Sequence, residues 1–405
     1  MVAKGFAQKY DIDYEETFTP VAKMSTMRII LALSAAQGWK VFQLDIKSAF
    51  LNGDLDVEIF MNQPEGFVVK GKESFICKLK KSLYGLKQAP RAWYTKILRY
   101  FANIGFSKCF SDFDLYVLNQ GKDVVLILLY VDDLLITGNN DEIIQECISK
   151  LKATFEMIDL DLLHYYLEMQ VYQYDDCTYL SQSKYISDIL QKFGMEECRY
   201  VTILVSLGIT VSLSSNSQLA DATTYRQLIR SLLFLNLSRL DITFAVNLMA
   251  RFIQKPYVEH LNAVKQILRY VAGTKDLALK YSRLPLIFLS RYTDSDYGGD
   301  RYDKKSTSAY VFSIGLGAIS WASKKQPTIS LSITEAEYRA ISIAAQEAIW
   351  LRHLLKEIGY EQSGSSLICS DNQSAISLAK NPMFHQRTKH VEIHAHFITN
   401  PLSKA

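Results

Sequence analysis

"LLYVDDLLIT", residues 128–137, sets two adjacent aspartates, Asp132 and Asp133, in the middle of an otherwise apolar run. Desolvating an anion costs several kcal/mol unless a cation or a hydrogen-bond donor compensates it. The neighbouring segments "DLYVL", "NQGK", "DVVLILLY" and "LLITG" predict strands joined by tight connections, the last around residues 131–133, which puts the acidic pair at a hairpin tip. The plain alternative is a pair of aspartates that merely caps a turn. Apolar strands on both sides weigh against it, because a solvated turn does not need them.

Working outward, "GWKVFQLDIKSAFLNGD" alternates Val41, Gln43 and Asp45 against Phe42, Leu44 and Ile46, the period of a strand that stops near Asn52-Gly53. Asp45 then lies at or just past a strand end. From Pro90, a favourable first helical residue, Trp93, Ile97, Phe101 and Ile104 form a stripe that ends at Gly105. Asn140 or Asp141 caps a second helix with Ile144, Ile148, Leu151 and Phe155 on its buried face. Strand, helix, hairpin and helix make an α+β unit.

A chain of 405 residues is too long for one compact core and predicts two or three domains. Hydrophobic residues make up 49% and charged residues 21%, the balance of a globular protein, and no apolar stretch is long enough to span a membrane. The start carries no apolar signal segment, which predicts residence inside the cell. Cys77, Cys109, Cys147, Cys177, Cys198 and Cys369 lack CxxC spacing, against both a disulfide framework and a zinc site. The net charge of +3 says little about partners, but residues 78–99 carry Lys78, Lys80, Lys81, Lys87, Arg91, Lys96 and Arg99 with no acid. Tyr84, Trp93 and Tyr94 are interleaved with them. Cations for phosphates and rings for bases suit a nucleic-acid track, and a solvated helix face is the bland alternative.

Residues 173–285 read as a connecting, largely helical region, with helical patterns in "YRQLIRSLLFL" and "HLNAVKQILRYVAG" after a Ser-rich stretch. From Leu286, "LIFLSRYTDSD", "STSAYVFSI", "GAISWAS" and "TISLS" predict four short strands before a long helix from Glu335 to Ile358. A further strand, "SLICSD", leads into a helix at "NQSAISLAK".

Two sets of carboxylates follow. Phosphoryl transfer needs little covalent work from a protein, only metal ions that hold the attacking and leaving oxygens and neutralise charge. Asp45 with Asp132 and Asp133 would supply one set for Mg²⁺, a hard ion that prefers oxygen ligands. Asp294 after a strand, Glu335 at a helix start and Asp371 after another strand would supply the second. Of the two glutamates in "TEAE", Glu337 is assigned to a capping box with Thr334, which leaves Glu335 for the metal. Asp296, Asp300 and Asp303 read as turn residues, and His390, His394 and His396 have no partner set that would make a zinc site.

These residues carry a resemblance. "VAKGFAQKYDIDYEETFTPVAKM", "QLDIKSAFLNGDL", "MNQPEGF", "KSLYGLKQAPRAWY" and "YVDDLLITG" resemble the reverse transcriptase of copia-type LTR retrotransposons. "TDSDYGGD", "KKSTSAYVFS", "AISWASKKQ", "TEAEYRA", "DNQSAISLAKNP" and "HQRTKHVEIHAHFI" are similar to the RNase H domain that follows it. The resemblance implies a fingers and palm region over residues 1–172, a thumb or connection over 173–285 and an α/β RNase H-like domain over 286–405. It implies two Mg²⁺ ions, or Mn²⁺, in each active site. Asp45, Asp132 and Asp133 would hold them for RNA-directed DNA synthesis. Asp294, Glu335 and Asp371 would hold them for cutting RNA in an RNA/DNA hybrid. Phe50 matches the ring that excludes a 2′-hydroxyl, with a plain core phenylalanine as the alternative, and Tyr84, Gly85, Lys87 and Gln88 match the segment beside the incoming nucleotide. The implied partners are an RNA template, a DNA primer and dNTPs. The implied location is intracellular, in cytoplasmic virus-like particles or the nucleus.

The sequence also departs from that family. It begins inside a motif that fingers strands normally precede, and passes from "HFI" to "TNPLSKA" where a further strand and a fourth carboxylate are expected. Asp161, Leu162, Glu168, Arg230, Leu240 and Arg291 stand where the family favours Gly or Pro. Each is reachable by one transition, as deamination of methylated cytosine would leave it, and the missing segments make a catalytically impaired remnant that at most binds nucleic acid the alternative to an active enzyme.

Overall fold

The computed structural model describes all residues except 1, 203, 205–216, 301, 365–366 and 381–405. The histidines at 390, 394 and 396 and the "HQRTKHVEIHAHFI" segment lie outside the described residues. Two compact units emerge, one of residues 1–23 and 40–162, the other of 24–39 and 163–405. Elements are numbered along the chain.

In the first unit β1 (Val41–Ile46), β2 (Phe60–Asn62) and β3 (Ile76–Lys78) precede the helix α2 (Ala89–Asn103). Then come β4 (Ser107–Lys108), β5 (Leu115–Gln120), β6 (Asp123–Tyr130), β7 (Asp133–Gly138), the helix α3 (Asp141–Thr154) and β8 (Met157–Leu162). Six of the strands form one antiparallel sheet in the order β4-β5-β6-β7-β1-β8. The expected apolar stripes explain its cover. Trp93, Ile97 and Phe101 of α2 and Ile144, Ile148 and Leu151 of α3 pack with Leu44, Ile127, Leu134 and Ile136 of the sheet in one buried cluster. Asn140 caps α3, its side chain accepting from the backbone N–H of Glu142 and Ile143. This is the polymerase-like α+β arrangement expected from the sequence.

The second unit begins with α1 (Met24–Gln37), which the sequence reading did not foresee. Every residue from Thr26 to Ala36 is buried, so no amphipathic stripe marks it. Within it the buried Arg28 donates to the carbonyls of Ile319 (2.8 Å) and Leu237 (2.7 Å) and lies 3.9 Å over the Trp321 ring.

After residue 162 come β9 (Tyr165–Tyr166), β10 (Met169–Gln173) and β11 (Cys177–Ser181), then α4 (Ser183–Lys192), α5 (Ala222–Leu235), α6 (Thr243–Ala250), α7 (Val258–Gly273) and β12 (Leu279–Ser282). The expected connecting region is therefore helical with a four-stranded sheet, β12-β11-β10-β9, beside it. The last segment holds β13 (Leu289–Asp296), β14 (Thr307–Ile314), β15 (Gly317–Lys325), α8 (Ile333–Glu357) and α9 (Gln373–Lys380). β13, β14 and β15 form an antiparallel sheet with α8 packed on it. "TISLS" is not a strand: Ser332 caps α8 there, its hydroxyl accepting from the Glu335 N–H.

No helix among the described residues is long and apolar enough to cross a membrane.

Candidate active site

β6 and β7 pair from Val125↔Gly138 to Tyr130↔Asp133, which leaves Val131 and Asp132 as a two-residue turn. Val131 has φ of +61°, a costly conformation for a β-branched residue and one that persists only where the surroundings impose it. Two bonds impose it here. Trp93 Nε1 donates to the Val131 carbonyl at 2.6 Å, and the Ile46 N–H donates to the Asp132 carbonyl at 2.9 Å. β1 pairs antiparallel with β7, so Asp45 lies directly opposite Asp133. Three carboxylates from one strand end and the adjacent turn are thereby brought to one edge.

Their electrostatics agree. Burial, then the charge of Asp45, pushes the Asp132 carboxyl up; burial, with Asp132 and Asp45 adding repulsion, pushes Asp133 up. Gln43, a buried residue that sequence reasoning missed, opposes this for Asp133 by donating Nε2 to its Oδ1 at 3.2 Å. Its position two residues before Asp45 puts both on one strand face. Their carboxylate oxygens do not all come within 4.8 Å of one another, so this set is looser than the second acidic set.

Phe50 sits in the short turn Ala49–Asn52, its ring 4.8 Å from that of Tyr84, whose hydroxyl the charge of Asp132 helps hold in the protonated form after burial. Gly85 has φ of +94°, and a Cβ there would come within 2.1 Å of the Ala3 carbonyl, so only glycine fits. The Lys87 N–H donates to Gln8 Oε1, and Gln88 is tied to Gln8 Nε2 and the Asp13 carbonyl.

The basic track divides. Lys80, Lys81, Lys87 and Arg99 are exposed. Lys78 pairs with Glu58, Arg91 with Glu16 and Lys96 with Asp54, all as exposed ion pairs of the weak kind. Trp93 is corrected: only 2% exposed, it belongs to the core and offers no face to a base. Tyr94 is half-buried and bonded through its hydroxyl to the Phe113 carbonyl.

The second acidic set contains one correction. Asp294, Glu337 and Asp371 bring carboxylate oxygens within 4.8 Å of one another, the group of three that does so among the described residues. Asp294 projects from β13, Glu337 from α8 packed on that strand, and Asp371 follows Cys369, which bridges in parallel to Tyr292 of β13. Glu335, the glutamate expected in this set, is consumed elsewhere. Its Oε1 accepts from Arg339 Nε (3.1 Å) and Nη2 (2.9 Å), and its Oε2 accepts from the Leu331 N–H (2.8 Å). The capping motif is Ser332 to Glu335 rather than Thr334 to Glu337, which turns Glu335 back onto the helix start. Glu337 Oε1 accepts from the Ser295 N–H, while its buried Oε2 has no partner. Burial, with Asp294 and Asp371 adding to it, pushes the Glu337 carboxyl up to about 7. An orphaned buried oxygen beside two further carboxylates is a donor set that a divalent cation completes.

The departures also have structural outcomes. Asp161 and Glu168 sit at φ of +58° and +59°, and Arg291 is buried with its Nε unpartnered. Arg230 is exposed on α5, Leu240 opens a short 3₁₀ turn and Leu162 ends β8.

The family described as "Reverse transcriptase (RNA-dependent DNA polymerase)" matches residues 1–206. The "Retrovirus-related Pol polyprotein from transposon RE1" of Arabidopsis thaliana is 41% identical over 400 residues, covering 99% of this chain and 27% of that protein. The corresponding RE2 protein of the same plant is 39% identical, covering 99% and 28%. The TNT 1-94 Pol polyprotein of Nicotiana tabacum is 41% identical, covering 98% and 31%. The chain thus spans less than a third of the length of these relatives. With the family match over residues 1–206 and copia-type relatives along nearly its whole length, the chain belongs to the reverse transcriptase family, as a copia-type retrotransposon Pol sequence.

Proposed function

We propose that this chain acts as an RNA-directed DNA polymerase, extending a DNA primer on an RNA template with dNTPs, and that residues 286–405 form an RNase H-like domain acting on the RNA/DNA hybrid. The observation that carries the first part is the register of Asp45 opposite Asp133 with Asp132 in the adjoining turn. Residues 1–172 would serve as fingers and palm and 173–285 as thumb or connection.

Asp45, Asp132 and Asp133 would hold Mg²⁺, or Mn²⁺, whose charge, when bound, neutralises the triphosphate and lowers the barrier to attack by the primer hydroxyl. The residues themselves position and orient. Gln43 keeps one Asp133 oxygen engaged and favours its ionised form. The Trp93 and Ile46 bonds hold the turn, so the carboxylates meet a substrate without further ordering. Phe50, backed by Tyr84, would lie against the sugar and exclude a 2′-hydroxyl. Tyr84, Gly85, Lys87 and Gln88 would line the nucleotide side. Lys78, Lys80, Lys81, Arg91, Lys96 and Arg99 would contact phosphates, the paired ones exchanging their surface partners. In the second site Asp294, Glu337 and Asp371 would hold the metal that serves RNA hydrolysis, with Glu335 restricted to the helix start.

Primer extension on poly(rA)/oligo(dT) with Mg²⁺ tests the first part. Extension by the wild-type chain that Asp132→Asn abolishes supports it. Asp132→Asn extending at the wild-type rate overturns it. The alternative, a remnant that binds nucleic acid without turnover, draws on Asp161 and Glu168 in left-handed conformations, and a folded chain that binds the primer–template without extending it would establish that reading.

A further inference from the structure

A cavity of about 350 Å³ opens in the first unit. Its walls are apolar, formed by Val21, Pro90, Trp93, Tyr94, Leu129 and Val131. Its volume lies at the lower end of the range of small-molecule sites, roughly 300 to 1,000 Å³. Thr17, Thr19 and Asp114 also line it, and two of these carry a buried atom without a partner, Asp114 Oδ2 and Thr19 Oγ1. Asp114 is only 2% exposed.

A buried carboxylate oxygen with no donor is rare enough to require an explanation. The charged neighbours do not supply one. Asp112, two residues away, accepts from the Lys23 N–H through Oδ2 and from the Asp114 N–H through Oδ1, and adds a second negative charge. Lys108, the nearby cation, has its Nζ 4.2 Å over the Phe113 ring and 5.4 Å from that of Tyr94. Burial, reinforced by Asp112 and only partly opposed by Lys108, pushes the Asp114 carboxyl up to about 7, so mildly basic solution leaves an anion in a largely apolar cavity.

We propose that this cavity is a binding site for a small organic cation, a compact aromatic or branched body carrying a protonated amine or amidine, with Asp114 as the counter-ion and Thr19 as a second hydrogen-bond partner. The apolar walls take the body, and the ammonium satisfies the orphaned oxygen by a charge-assisted bond. The cavity shares Phe50 and Val131 with the surroundings of the proposed polymerase site, but its test measures binding alone, so failure of either reading leaves the other open to its own assay.

The probe is benzylamine, with benzyl alcohol as the neutral analogue of similar shape, titrated at pH 8 into the full chain by calorimetry and ligand-observed NMR. Saturable binding of the amine is expected, weakened by about tenfold or more both in the alcohol and in Asp114→Asn, the loss of one bond to a charged group. Absence of saturable binding, equal affinity for amine and alcohol, or unchanged affinity in Asp114→Asn would overturn the proposal. Should Asp114→Asn fail to fold, Val21→Trp decides, because Val21 is 57% exposed at the cavity wall and its enlargement leaves the core alone. Folded Val21→Trp that no longer binds the amine supports the site; undiminished binding overturns it.

Discussion

Trp93 holds Val131: the indole of a core residue on α2 donates 2.6 Å to the carbonyl of the residue that precedes the acidic pair. The bond converts helix–sheet packing into a constraint on a turn whose first residue is in the left-handed region. Strain of this kind, held by its surroundings, is typical of sites where geometry matters more than stability.

Trp93→Phe keeps most of the buried area and removes that one donor. The expected loss in stability is about 1 to 2 kcal/mol, from an unsatisfied carbonyl and a smaller ring. Primer extension should fall more than the melting temperature predicts, through kcat rather than through affinity for the primer–template. Unchanged kcat in a folded variant would show that the turn needs no such support.

The two glutamates of α8 separate by function in the same way. Glu337→Gln should abolish Mg²⁺-dependent cleavage of the RNA strand in a hybrid while leaving the fold intact, because it removes one charge from a repelling cluster. Glu335→Gln should destabilise the domain by about 3 kcal/mol, since it leaves the buried Arg339 guanidinium without its anion. Parallel melting curves and cleavage assays would expose the reverse assignment as a loss of cleavage at unchanged stability in Glu335→Gln.

What the sequence made legible depended on periodicity. Asp45 and Asp133 could be brought together because strand alternation and a two-residue connection leave few registers. α1 was illegible because it is buried all round and lacks the stripe that marks a surface helix. The choice between Glu335 and Glu337 failed because Ser332 and Thr334, two residues apart, both qualify as caps. Only packing shows that Ser332 is used and that Glu337 meets Asp294. Gln43 carries no motif at all; it becomes visible only when β1 and β7 are laid side by side.

Titration of Glu337 gives stability a distinctive pH dependence. Folding raises this carboxyl from its ordinary value near 4.5 to about 7, so the folded state binds the proton more tightly than the unfolded chain. Its stabilising contribution is complete below about pH 4.5 and is lost as pH rises through 7. A metal ion inverts the trend, because only the ionised cluster binds it. Melting temperatures measured with and without Mg²⁺ should therefore diverge with pH, the Mg²⁺-induced increase being larger at pH 8 than at pH 6. Glu337→Gln should flatten both effects; a Mg²⁺ increment independent of pH would contradict the assignment.

The hairpin between β9 and β10 offers the sharpest test of the departures from the family pattern. Tyr166 pairs with Met169, so Leu167 and Glu168 form a two-residue turn with φ of +47° and +59°, a conformation that suits Asn-Gly. Glu168→Gly removes the Cβ penalty and should raise stability by about 1 kcal/mol. The loss of the exposed Tyr165 hydroxyl bond to Glu168 offsets a part of this. Asp161→Gly, at the irregularity where β8 shifts register against β1, should act in the same direction. The two sites lie in different units, so their effects should add in the double variant. Denaturant midpoints decide. Stabilisation in both single variants and additivity in the double would mean that these side chains burden the fold, whereas destabilisation by either glycine would mean that the side chain there has become part of what holds it.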